Sequence, residues 1–141
     1  MNIAKILTPR PLTAVTHADN SIRQGLEILK RRGFTAIPVL DAEDRYIGSV
    51  SEGDIMRYML SAGTADPQQL EKETIGRILR KDFCSPLRIV AAEEDVIASV
   101  LRQNFVPIVD DRGCLCGIVT RRSVLIYLAE KAAGEVPAAG G

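Results

Sequence analysis

Two short stretches of this 141-residue chain hold the residues best placed to do chemistry: "GSVSEGD" (Gly48–Asp54) and "GIVTRRS" (Gly117–Ser123). Each runs from a glycine to a hydroxyl residue, Ser51 or Thr120, that suits a helix N-cap, because its oxygen accepts a hydrogen bond from an orphan backbone N–H. Ser51 and Asp54 have the spacing of a capping box, and the Asp54 carboxylate is also able to hold a ribose diol through two charge-assisted bonds. Glu52 makes that helix start acidic and unwelcoming to phosphate, so a weakly charged adenosine compound, or nothing, suits it better. In the second stretch Ser123 stands where Asp54 stood, and Arg121 and Arg122 follow Thr120. The first turn of a helix carries partial positive charge, so cations there are penalised by some tenths of a kcal/mol. A phosphate ligand explains them: arginine offers a planar fork of donors, and the helix start adds its free N–H groups. The structural alternative is a pair of side chains that simply face solvent.

Other chemistries find little support. His17 is the one histidine, and no cysteine or serine has a base beside it in sequence, which argues against nucleophilic catalysis. Cys114 and Cys116 alternate along one strand with no further ligand cluster, a pattern of packing rather than metal binding. Lys30–Arg32 is a basic helix end that favours the dipole. Net charge is zero, with 18 basic and 18 acidic residues and no tryptophan, so nucleic acid is not an expected partner. No apolar run approaches the roughly 20 residues of a membrane span, and Met1–Arg10 lacks the apolar core of a secretory leader. Three cysteines without a CxxC pair fit reduced thiols and a cytoplasmic location.

The elements that position the two turns come in duplicate. "RPLTAV" (Arg10–Val15) is echoed by "SPLRIV" (Ser85–Val90) at an offset of 75, while "AIPVLD" (Ala36–Asp41) and "GSVSEGD" are echoed by "FVPIVD" (Phe105–Asp110) and "GIVTRRS" at an offset of 69. The second copy is therefore expected to have lost about six residues around its first helix. Each copy reads as β-α-β-β-α. The first has a strand at Thr13–Thr16, a helix from Asp19–Ser21 to the stop at Gly33, strands at Ala36–Leu40 and Tyr46–Val50, and a helix to about Leu60. The second has strands at Leu87–Val90, Val106–Val109 and Leu115–Val119, a helix within Glu94–Arg102, and a closing helix. Short helices are expected at Ile3–Leu7 and Ile75–Leu79. The domain boundaries are residues 3–62 for repeat one, 63–73 for a linker, 74–131 for repeat two and 132–141 for a flexible tail. Such a unit leaves one sheet face bare, so two copies are expected to cover each other about a pseudo-twofold axis with equivalent clefts.

The doubled x-Pro strand and G-h-h-[S/T]-x-x-[D/N] turn, in order and at matching spacing, resemble the tandem CBS-domain pair, or Bateman module, over residues 3–131. "GFTAIPVLD" (Gly33–Asp41) and "GIVTRRSVL" (Gly117–Leu125) are similar to the small stand-alone cyclic di-AMP-binding branch of that family (CbpB/DarB type). The resemblance implies an α/β fold and clefts for adenosine compounds, each drawing on both repeats. One nucleotide-binding set would be Thr13, Ala14, Thr35, Ala36, Ile37 and Pro38 with Ile118, Thr120, Arg121 and Arg122. A second would be Arg88, Ile89, Phe105, Val106 and Pro107 with Val50, Ser51 and Asp54. It further implies a homodimer without catalysis, metal or cofactor that binds cyclic di-AMP and regulates a partner protein such as a (p)ppGpp synthetase. The alternatives are a sensor of AMP, ADP, ATP or S-adenosylmethionine, with Asp54 on the ribose, and a structural interaction module whose clefts stay empty.

Overall fold

The computed structural model describes residues 1–134, so most of the tail read as flexible lies outside the described residues. In chain order the elements are α1 (Ile3–Ile6), β1 (Thr8–Pro9), β2 (Thr16–His17), α2 (Ile22–Arg32), β3 (Ala36–Leu40), β4 (Tyr46–Ser51), α3 (Glu52–Ala62), α4 (Pro67–Lys72), β5 (Leu87–Arg88), α5 (Glu93–Arg102), β6 (Phe105–Val109), β7 (Leu115–Thr120) and α6 (Arg121–Ala132), with 3-10 turns at Arg10–Leu12 and Ile75–Arg77. They form two compact units. One is continuous, Ala14–Phe83; the other joins Met1–Thr13 to the chain from Cys84 onward.

The continuous unit carries a three-stranded sheet in the order β2-β3-β4, with β2 parallel and β4 antiparallel to β3. α2 begins at a capping box between Ser21 and Gln24 and ends at Gly33. Its Ile22 and Leu29 join Ile37, Val39, Val50, Ile55, Leu70 and Ile75 in one buried cluster. Each such side chain contributes about 1.5–3 kcal/mol when removed from water. Leu70 belongs to α4, which lies inside the stretch read as a linker. Asp66 caps it through the Gln68 N–H and Pro67 occupies its first turn, a start signal the linker reading passed over.

The other unit carries a four-stranded sheet in the order β1-β7-β6-β5. Its buried cluster is Ile3, Val96, Val100, Val106, Ile108, Val119 and Val124. The first strand of the chain therefore serves the sheet of the second repeat: Thr8 lies opposite Ile118 and Pro9 opposite Gly117. A parallel arrangement exists in the continuous unit, where Arg80, just ahead of the second repeat, bridges Ser49 by two backbone bonds of 3.0 and 2.9 Å. These crossings explain the motif glycines. A Cβ at Gly117 would sit 2.1 Å from the Thr8 carbonyl oxygen, and one at Gly48 2.6 Å from that of Arg80.

The strand register corrects the repeat alignment. Thr16 pairs with Val39 and Leu87 with Ile108, so the first strands are offset by 71 residues and the second by 69. The second copy has lost two residues here, not six. The "PLTAV" echo misled because Arg10–Leu12 is a 3-10 turn rather than the lead into a strand. The strand expected at Thr13–Thr16 starts only at Thr16, and the helix expected at Ile75–Leu79 is a 3-10 turn over Ile75–Arg77.

Candidate functional site

In the discontinuous unit, β6 and β7 bring Phe105 opposite Thr120, Val106 opposite Val119 and Pro107 opposite Ile118. Thr120 caps α6, accepting the Ser123 N–H at 3.1 Å, while the Ser123 hydroxyl accepts the Thr120 N–H at 3.2 Å. The two arginines that follow are not alike. Arg121 Nε donates to the Val100 carbonyl at 2.7 Å, and Arg121 N donates to Asn104 O at 3.0 Å. Val100 lies in the last turn of α5, where unpaired carbonyls carry partial negative charge. The cation that is misplaced at the start of α6 is well placed at the end of α5. Arg122 is exposed and has no partner among the described residues. It is the arginine whose position the fold itself leaves unexplained.

Other predicted members of this unit are already committed. Thr13 is buried; its N–H closes the 3-10 turn onto Arg10 O at 3.1 Å, and its hydroxyl donates to Thr8 O at 3.1 Å and Pro9 O at 3.0 Å. Val106 is in the core, which leaves its backbone rather than its side chain for a ligand. Arg88 sits at the opposite end of β6 from Phe105: it pairs with Val109 and forms an ion pair with Asp111. With Ile89 and Val90 it lines an open cleft of about 440 Å³ shared with Asp110, Arg112 and Cys116. Arg88 and Ile89 therefore correspond to His17 and Ala18, not to Thr13 and Ala14, a direct consequence of the corrected register. Among the described residues no cluster of three or more His, Cys, Asp or Glu is arranged to hold a metal ion.

In the continuous unit, Ala36 lies opposite Ser51, Ile37 opposite Val50 and Pro38 opposite Ser49. Thr35 is exposed, and its carbonyl accepts the Glu52 N–H at 2.9 Å, matching the bond from Arg121 to Asn104 in the other repeat. Ala14 is half-buried, and Ile37 and Val50 belong to the core. Asp54 is 5% exposed, and both its oxygens are occupied. Oδ2 accepts the Ser51 N–H at 2.8 Å and the Ser51 hydroxyl at 2.9 Å, while Oδ1 takes Arg57 and also Arg80 Nε at 3.1 Å. The capping-box reading of Ser51 and Asp54 is thus realised, and no lone carboxylate face is left for a ribose diol. The sequence reading of an acidic, phosphate-averse helix start missed both arginines. Arg57 was detectable from its i,i+3 spacing to Asp54; Arg80 arrives from 26 residues further on and had no sequence signal.

The duplicated strand-and-turn geometry is that of a known family: the chain belongs to the CBS domain family, whose model matches residues 3–61 and 93–130. Among individual proteins it is similar to Cyclic di-AMP receptor B of Bacillus subtilis, 29% identical over 106 residues that cover 75% of this chain and 71% of that one. It is also similar to the chloroplastic CBS domain-containing protein CBSX2 of Arabidopsis thaliana, 26% identical over 147 residues, covering 87% of this chain and 61% of that one. The chain thus spans 61% of the length of that plant relative. Among solved structures it superposes on CbpB in complex with c-di-AMP with a TM-score of 0.85 at 22% identity, over 95% of this chain and 88% of that one. The Listeria monocytogenes CbpB protein in complex with c-di-AMP gives 0.82 at 25% identity, over 94% and 98%. The α/β fold and the tandem CBS pair are thereby established.

Proposed function

We propose that the chain is a non-catalytic receptor for cyclic di-AMP whose phosphodiester is recognised at the Thr120–Arg122 turn. The observation that carries the reading is Arg122, an exposed guanidinium with no partner among the described residues at the first turn of α6. A cyclic dinucleotide suits that turn because it brings phosphodiesters and no ribose diol that would need an acid. The similarity to Cyclic di-AMP receptor B of Bacillus subtilis and to the Listeria monocytogenes CbpB protein in complex with c-di-AMP supports the same ligand. Ile118, with Thr13, Ala14 and Thr35–Pro38 as the residues assigned by resemblance to the rest of the nucleotide, belongs to this proposal. So do a cytoplasmic location and a homodimer; exposed Met56 and Leu60 on α3, and Leu125 and Ile126 on α6, are apolar surface that a second copy would cover. Ligand occupancy would then control a partner protein through linked binding equilibria, for which a (p)ppGpp synthetase is the class suggested by resemblance.

Thermal unfolding with cyclic di-AMP, cyclic di-GMP, AMP, ATP and S-adenosylmethionine tests the reading. A ligand that binds only the folded chain stabilises it by about 2.7 kcal/mol at a hundredfold excess over Kd. A shift with cyclic di-AMP and none with cyclic di-GMP is expected. No shift with cyclic di-AMP would end the proposal.

A further inference from the structure

Building on the receptor reading above, we infer that Arg121 couples occupancy of the α6 turn to the order of the last turn of α5, so that this helix end changes state when a phosphodiester binds. α5 and α6 pack side by side and are clasped at both ends. At one end Arg121 Nε donates to the Val100 carbonyl at 2.7 Å, and at the other Lys131 Nζ donates to Glu93 at 3.1 Å. The start of each helix is thereby tied to the end of the other. The first repeat has neither clasp. Glu52, Ala62 and Ile22 stand where the second repeat has Arg121, Lys131 and Glu93, and none of the three can make the corresponding bond. The double clasp and the cationic turn therefore occur together, in one repeat.

A guanidinium can serve two sides at once, because its donors lie on more than one edge of a rigid plane. Arg121 spends Nε on Val100, and its terminal nitrogens make no hydrogen bond among the described residues. The unpaired carbonyls at the end of α5 draw this cation from one side. A phosphodiester at the first turn of α6 draws it from the other. With both in place the guanidinium is fixed between two acceptors, and the last turn of α5 loses freedom to fray. The effect has a path beyond Val100. Arg121 N donates to Asn104 O at 3.0 Å, and the side-chain amide of Gln103, which ends α5, donates to Ser85 O at 3.1 Å and Phe105 O at 3.0 Å. A run of hydrogen bonds thus joins the ligand turn, the end of α5 and the segment ahead of β5. Arg121 acts here through α5, as a positioning residue.

Amide hydrogen exchange of the full chain, with and without saturating cyclic di-AMP, tests the coupling at Val100–Gln103. In the unaltered protein the ligand should slow exchange there by about fivefold or more, the lower end of ordinary coupling between sites. Arg121→Lys keeps a charge at the turn but lacks the Nε that holds Val100, so at saturation it should lose most of this slowing. Arg122→Ala, brought to saturation with more ligand, should keep it. Unchanged exchange at Val100–Gln103 in the saturated, unaltered protein would overturn the inference and leave the receptor reading standing. Full slowing in Arg121→Lys would also overturn it, because the order would then arise without the arginine. Absence of cyclic di-AMP binding would overturn both.

Discussion

Arg121 and Arg122 are neighbours in sequence and occupy different energetic situations. Arg121 donates to the Val100 carbonyl at the end of α5, whereas Arg122 extends from the first turn of α6 with no partner among the described residues. Truncating them should therefore separate stability from binding. Arg122→Ala should leave the melting temperature unchanged and weaken cyclic di-AMP by about tenfold or more, the scale of a charge-assisted hydrogen bond. Arg121→Ala should lower stability by about 1 kcal/mol even without ligand, because a helix-end carbonyl loses its donor. Melting curves with and without ligand measure both. An Arg122→Ala protein that binds normally would return Arg122 to an ordinary solvent-facing side chain. The same residue-scale logic explains why Asp54 was only half legible. Its bond to the Ser51 N–H follows from a three-residue spacing, and its ion pair with Arg80 follows from nothing local.

At the scale of elements, the glycine that opens each turn is a packing requirement as much as a hinge. Gly117 lies against β1 and Gly48 against Arg80, each too close for a side chain. Gly117→Ala should displace Thr8–Pro9 from the edge of β7 and cost about 2 kcal/mol or more, since the clash is with backbone and not with a movable side chain. Chemical denaturation would show the loss, and faster amide exchange along β1 and β7 would locate it. A variant with unchanged stability and exchange would remove the close approach of Thr8 as the reason for a glycine at position 117. Element types and most boundaries were readable, because caps, periodicity and glycine stops are local. Ser21 and Gln24 start α2, Thr120 starts α6, and the x-Pro strands fall at Ala36–Leu40 as expected and at Phe105–Val109, one residue earlier than expected. The first strand of repeat one moved to Thr16–His17 and that of repeat two shortened to Leu87–Arg88, because two-residue strands have no periodicity and take their register from a partner.

For the molecule as a whole, acid stability depends on carboxylates held ionised by partners both distant and near in the chain. Glu93 accepts from Lys131 Nζ at 3.1 Å and from the Met1 amino group at 3.3 Å. The bond from Lys131 is the main reason its carboxyl titrates below the ordinary value of 4.5, with the Met1 amino group adding to the effect against some burial. Asp110 is likewise lowered, chiefly by the Cys114 N–H that closes the β6–β7 turn. A carboxyl whose folded pKa is depressed adds stability above its unfolded pKa and loses it as pH falls through the folded value. Stability should therefore decline below about pH 4.5, and Glu93→Gln should be less stable near neutrality with a shallower acid decline. Denaturation curves from about pH 7 down to about pH 3 measure it. An identical acid limb in Glu93→Gln would remove Glu93 from the account.

What the sequence determined by itself was local and repetitive: two β-α-β-β-α copies, their caps, their proline strands, and the chemically unlike turns "SEGD" and "TRRS". Tertiary structure decided which segment completes which sheet, with β1 lying on β7 and Arg80 bridging Ser49. It also decided which charges meet: Arg121 with Val100, and Arg80 with Asp54. The division has a physical cause. Helical periodicity and capping depend on residues within about four positions of each other, which a sequence displays directly. A strand edge or a buried carboxylate takes whatever partner the folded chain brings within hydrogen-bond distance, at any separation in sequence.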